Sequence, residues 1–145
     1  MEENMTFKKT YESFLETFGQ GKTMVLSTSF QDKVTSRMMS IVLINGKFYF
    51  QTDQNFRKYK QLCSNPNVAL CSDNIQIEGR CKEIGHPTIH TEFCKAYQSC
   101  FKGSYEAYTA LEDERLFEIE PIYIQRWLYI EGKPFIEEFQ VENQE

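Results

Sequence analysis

Two cations sit at the start of a helical pattern in "KFYFQTDQNFRKYKQL", Lys47 to Leu62: an alternating aromatic strand runs into Asp53, and Arg57 and Lys58 follow near the first helical turn. A helix start already carries partial positive charge, so cations there oppose the macrodipole unless an anion lies between them. Free backbone N–H groups at that point, joined by a guanidinium that can bind two oxygens at once, suit a phosphate. Asp53 or Asn55 is the expected N-cap, and Phe56, Tyr59 and Leu62 form the expected buried stripe, leaving Arg57, Lys58 and Lys60 off it. The competing explanation is a solvated helix face with ordinary basic residues.

A third cation lies upstream. In "VTSRMMSIVLI" the two-residue period puts Thr35, Arg37, Met39, Ile41 and Leu43 on one face, so Arg37 projects from a largely apolar surface. A partly buried guanidinium needs an acceptor, either a neighbouring carboxylate or a bound anion. Asn45-Gly46 joins this strand to "KFYFQT" as a tight hairpin, because both central residues of a type I′ turn need positive φ. The hairpin sets Arg37 beside the strand that leads to Arg57 and Lys58, so the three cations can converge on one dianion.

The elements that must position them read as follows. Phe7, Tyr11, Phe14, Leu15 and Phe18 have helical spacing, ended by Gly19 and Gly21. "TMVLSTSF" is a strand, "QDK" a turn, and "VALCSD" and "IQIEGRCKEIG" are strands after the "NPN" break. "HPTIHTEFCKAYQSCFKG" is a helix with Ile89, Phe93, Tyr97 and Phe101 on one face, and a shorter helical piece, "SYEAYTALED", comes next. "RLFEIEPIYIQRWLYIEG" reads as two short strands joined at Glu120-Pro121. Glu112, Asp113 and Glu114 read as a solvated turn. Six or seven strands in mostly hairpin order with helices in the connections indicate an α+β fold built on an antiparallel barrel or strongly coiled sheet.

The chain has 145 residues, which fits one domain, residues 1–145, with a real core. Its formal charge of −5 is concentrated in "MEEN" and "EEFQVENQE", which argues against sequence-independent binding to nucleic acid. No apolar run approaches membrane-spanning length and the N-terminus lacks the order of a signal peptide, so a cytoplasmic location with no membrane partner is expected. The five cysteines form no C-x-x-C pair and are expected as buried small hydrophobes. Pro87 between His86 and His90 spoils a helical metal pair, and no metal site is expected.

The run from "TMVLSTS" through "SRMMSIVLINGKFYFQTDQNFRKYKQLCSNPNVALC" resembles the pyridoxamine 5′-phosphate oxidase-like family, the FMN-binding split β-barrels. The resemblance lies in an ordered series: an Arg on the second strand, an aromatic strand ending in Thr, an Arg-Lys pair, then Asn-Pro and a buried strand. It implies an antiparallel split barrel, Greek-key-like, with flanking helices and a flavin at a two-fold homodimer interface. By position, Arg37, Arg57 and Lys58 match the phosphate ligands, and Met38 and Met39 the strand whose backbone lines the flavin. Gln51 and Thr52 match the cofactor contacts at the end of the third strand. Asn74 matches an amide facing the flavin, and Trp127 an aromatic near the isoalloxazine.

The implied function is FMN-dependent oxidoreduction of a small molecule, with NAD(P)H as a candidate electron donor. The alternative is a non-catalytic module that binds or stores flavin, haem or another phosphate ligand. The oxidases that act on pyridoxamine phosphate carry a Lys where this chain has Val42, and an Arg and a His just past the Trp, where it has "LYIEGKPFIEEF". Phe56 stands where a small hydroxyl residue often precedes the Arg-Lys pair. Pyridoxamine phosphate itself is therefore not the expected substrate.

Overall fold

The computed structural model describes residues 2–141, with side chains from Thr10 onward. Helix α1 (Glu2–Phe18) leads into β1 (Gly21–Phe30), β2 (Lys33–Ile44) and β3 (Lys47–Asp53), then α2 (Arg57–Ser64), β4 (Asn67–Ser72) and β5 (Ile75–Glu83). A 3-10 turn, α3 (Thr91–Cys100) and α4 (Lys102–Tyr108) precede β6 (Glu114–Ile130) and β7 (Lys133–Gln140). Asn45 and Gly46 have φ of 50° and 80°, the left-handed pair that the hairpin between β2 and β3 requires. The turn at Gln31-Asp32 uses the same device, with φ of 50° and 65°.

All strand pairs are antiparallel, in the order β3-β2-β1-β4-β5-β6-β7, and β3 also pairs with β6. That last pairing closes β1 to β6 into a six-stranded barrel and leaves β7 outside it as a ribbon on β6. Because β4 returns beside β1 after the β1-β2-β3 meander, the connection is a Greek key, as expected. Inside the barrel Leu26, Ile41, Phe48, Phe50, Leu70 and Ile77 are fully buried. Helix α1 adds Phe14 and Phe18 to this core, with Phe14 against Phe139 at a centroid distance of 5.5 Å. A second, smaller cluster forms where Phe93 and Tyr97 of α3 cover Val42 and Leu116 on the barrel wall.

Five expectations need correction. The helix expected from His86 begins only at Thr91, and Ile89 lies in the 3-10 turn before it, 73% exposed rather than on the buried face. Strand β6 is continuous over 17 residues rather than two strands. The proline falls where β6 changes partners, after its last pair with β3 at Ile119 and before its first with β7 at Tyr123, a point where no ladder N–H is needed. Helix α2 has Phe56 at its N-cap with no side-chain cap hydrogen bond, because the Asp53 carboxylate instead accepts from Asn55 N at 2.7 Å. Phe56 is half exposed, and Gln61 takes its place in the buried stripe with Leu62. Of the cysteines only Cys81 is in the core, while Cys63 and Cys71 are exposed.

The handover in β6 depends on Gly79. The register between β5 and β6 shifts between Glu78 and Gly79, so that Gly79 faces Pro121 and Glu78 faces Tyr123. A Cβ at Gly79 would lie 2.8 Å from the Glu120 carbonyl oxygen and 2.6 Å from Ile119 Cγ2, and the backbone oxygen cannot move aside. Gly79→Ala is expected to lower stability by about 1–3 kcal/mol, as overpacking does. A denaturant melt with an unchanged midpoint would contradict this account of the bulge.

Candidate functional site

Arg37 lies near both Arg57 and Lys58, and the acids close by, Asp53 and Glu114, stop short of an ion pair with any of the three. Arg37 donates from Nη1 to the Leu26 carbonyl at 3.1 Å and from Nη2 to Thr35 Oγ1 at 2.6 Å. Thr35 Oγ1 and Thr28 Oγ1 both donate to Gln61 Oε1, at 2.9 and 2.7 Å, so the guanidinium is tied through a hydroxyl to helix α2. Burial and then the nearby Arg57 push the Arg37 pKa down. For Lys58 the lowering comes from burial first and Arg37 second, partly offset by Glu114 and Asp53. Among the described residues none of Arg37, Arg57 and Lys58 forms an ion pair. Like charges gathered with no ion pair are unfavourable, and an anion bound between them would relieve the repulsion.

Lys58 also borders a cavity of about 290 Å³ between the end of β3, the start of β6, α2 and the α3–α4 arm. Its ammonium lies 4.8 Å from the centre of the Phe56 ring, on the cavity wall. Met39, Gln51, Thr52 and Tyr97 supply further wall, so four of the expected site residues, Met39, Gln51, Thr52 and Lys58, meet in one cavity. Gln51 accepts a hydrogen bond from Thr109 Oγ1 at 3.0 Å, but its Nε2 is buried without a partner, as is Thr52 Oγ1. A buried polar group left unpaired costs about 1–3 kcal/mol. Two of them beside a cation cluster fit a ligand with an anionic end and a polar-edged body.

The other expected residues lie elsewhere on the chain: neither Arg37 nor Arg57 lines this cavity, and Arg57 borders a separate one with Phe30, Lys33 and Lys60. Met38 points to the outer face of the sheet and is 62% exposed. Asn74 and Trp127 bind each other, Asn74 Nδ2 donating to Trp127 O at 2.6 Å and Trp127 N to Asn74 O at 3.0 Å, and neither lines the cavity. Trp127 belongs instead to one face of the β6–β7 ribbon, with its pairing partner Ile136 and Tyr129 also exposed there, while Ile130 and Phe135 are exposed on the opposite face.

Glu114 is the residue that the sequence reading misplaced. It is 5% exposed, opens β6 opposite Asp53, and faces the cavity rather than solvent. The two-residue period did carry a signal, since Glu114, Leu116 and Glu118 share one face of a strand. Burial and then Asp53 push its pKa up from 4.5 to about 7, against the pull of Lys58, His86 and Gln51. Gln51 Nε2 favours the carboxylate from nearby, yet the two do not reach hydrogen-bonding geometry.

A carboxyl whose pKa is raised on folding binds more protons in the folded chain than in the unfolded one. Stability therefore falls as pH rises from about 4.5 through about 7. Glu114→Gln removes this loss. The variant is expected to be more stable than the wild type at about pH 8, with the advantage shrinking toward about pH 4.5 in denaturant melts. A gap that does not change across that range would show that Glu114 is not the group responsible.

The closed strands and their flanking helices define a split β-barrel. The chain belongs to the pyridoxamine 5′-phosphate oxidase family, whose model matches residues 7–128. None of the curated proteins matches it significantly. Among solved structures, General Stress Protein 26 from Bacillus anthracis shares 21% identity at a TM-score of 0.60, covering 97% of this chain and 100% of that one. An FAD-binding protein from Mesorhizobium loti is similar at 12% identity and TM-score 0.57, covering 71% and 83%. The haem storage protein HutZ from Vibrio cholerae is similar at 15% identity and TM-score 0.62, covering 79% and 89%. At these identities the likeness is one of fold. Among the described residues no helix is long and apolar enough to cross a membrane.

Proposed function

We propose that this protein binds FMN and acts as a flavin-dependent oxidoreductase on a small molecule other than pyridoxamine phosphate, with NAD(P)H as the candidate electron donor. The observation that carries this reading is that Arg37 lies near both Arg57 and Lys58 with no ion pair among the described residues, and that Lys58 lines a cavity holding two unpartnered buried polar atoms. The cations would hold the phosphate, with Arg37 already oriented by Leu26 O and Thr35. Gln51 Nε2 and Thr52 Oγ1 would meet the polar edge of the ring, and Met39 and Tyr97 would keep water from it. Bound flavin would supply the two-electron chemistry, while the protein supplies position and electrostatics. Val42 lies fully buried beneath α3, so β2 offers no cation there for a pyridoxal-type phosphate.

Haem is the less favoured ligand. Nε2 of His86 is within 2.7 Å of the Leu111 carbonyl and Nε2 of His90 within 2.7 Å of that of Ile84, so each imidazole is already committed to a backbone oxygen. A haem ligated through Nε2 of either histidine would have to break one of these bonds.

Asn74 and Trp127 would reach the flavin from the second protomer of a homodimer. The exposed apolar face around Trp127, with Ile136 at 40% and Tyr129 at 73% exposure, supports this, since surfaces of that kind mark contacts. Ile136→Asp, on the Trp127 face, is expected to shift the protein to monomer in sedimentation and to weaken FMN binding together with it. An unchanged dimer would remove the ribbon from the interface.

The phosphate assignment is best tested at Arg57, which is exposed and makes no structural hydrogen bond of the kind Arg37 makes. Arg57→Ala should weaken FMN binding by about 1.5 kcal/mol or more, the scale of a charge-assisted hydrogen bond, and Lys60→Ala by much less. Fluorescence titration of FMN measures both. Equal losses would overturn the assignment.

A further inference from the structure

The cavity beside Lys58 contains one ionisable acid whose carboxyl is nearly shut off from water and is not used in any ion pair among the described residues. Glu114 shares the cavity wall with the two unpartnered polar atoms, Gln51 Nε2 and Thr52 Oγ1. Resting on the flavin reading above, we propose that Glu114 in its neutral acid form completes, with Gln51 and Thr52, a hydrogen-bonding wall for the carbonyl edge of an uncharged planar ring, so that filling the cavity takes up a proton.

The groups around Glu114 set the direction of this coupling. Asp53 faces it across the β3–β6 pairing and opposes its ionisation. Lys58 from α2, His86 from the segment before the 3-10 turn and Gln51 from β3 favour the carboxylate, and Tyr97 of α3 and Tyr108 of α4 complete the surroundings. Lys58 is the strongest of the favourable partners and the one that a phosphate would also claim. A ligand that occupies Lys58 with its phosphate and displaces the remaining water with its ring removes the carboxylate's strongest charged support and its hydration, leaving only the weaker pull of His86 and Gln51. The neutral acid then prevails, and it brings an O–H donor that the carboxylate lacks. A neutral carboxyl serving as donor inside an apolar pocket is chemically precedented.

The linkage has a definite sign. If the bound form holds its proton to higher pH than the free form, affinity falls as pH rises above about 7. The experiment is calorimetric titration of FMN into flavin-free protein at about pH 8, where the ligand phosphate, with a second pKa of about 6, is already a dianion. Repeating it in two buffers of different ionisation enthalpy counts the protons taken up. Proton uptake by Lys58 is removed by comparing the wild type with Glu114→Gln, which keeps the shape of the neutral acid.

The wild type is expected to take up a large fraction of one proton more than Glu114→Gln, and to bind FMN about five- to tenfold more weakly at pH 8 than at pH 6 after the variant's own pH dependence is divided out. Glu114→Gln is expected to bind several-fold more tightly than the wild type at pH 8. Equal proton uptake in the two proteins, with FMN bound by both, would overturn this inference and leave the flavin reading standing. Absence of FMN binding by both proteins would overturn the flavin reading and this inference together.

Discussion

The seam between β3 and β6 is the constraint on which the rest of the molecule depends. Six consecutive pairs, from Phe48 with Ile119 to Asp53 with Glu114, join segments far apart in sequence and turn an open sheet into a barrel. Closing so long a loop is entropically costly, and the seam offsets it by bringing buried aromatics together: Phe50 and Phe117 stack across it at 5.2 Å, nearly parallel. The same closure delivers the end of β3 and the start of β6 to one wall of the cavity. Core and site therefore share one seam.

Electrostatics shape that end of the barrel as much as packing does. Elsewhere the charged groups are paired in ordinary ways, as where Arg126 meets Glu137 at 2.6 Å and tops the Phe14 ring, fastening the outer ribbon to α1. Around the cavity the pairing is incomplete: cations face cations, a carboxyl faces another carboxyl, and two polar atoms face nothing. A folded chain tolerates such a concentration of unfavourable terms when the remaining core is large, and here the barrel and α1 provide it.

Local chemistry made much of this legible from sequence. Asn45-Gly46 announced its hairpin, the alternating aromatics of β3 announced a strand, and the face shared by Arg37 and Met39 followed from the two-residue period. What escaped depended on partners distant in sequence. Glu114 sits in a run of three acids and looks like a turn until β3 is placed beside it, when Asp53 becomes its neighbour. Pro121 looks like a strand end until the strand is seen to exchange β3 for β7 around it. Strand β7 itself was hidden because Glu131-Gly132 is a weak hairpin signal, although its φ values of 52° and 80° match those at Asn45-Gly46.

The bulge opposite Gly79 has a geometric consequence. Because β6 runs without interruption from the barrel into the ribbon, the ribbon has no hinge and leaves the barrel at a bearing fixed by the skipped residue Ile122 and the proline before it. Whatever docks on Trp127 and its neighbours thus approaches along a heading set some distance away, inside the barrel wall. A change of one residue in the length of that bulge would swing the apolar ribbon to face the opposite side, altering the architecture of any assembly without touching its contact residues.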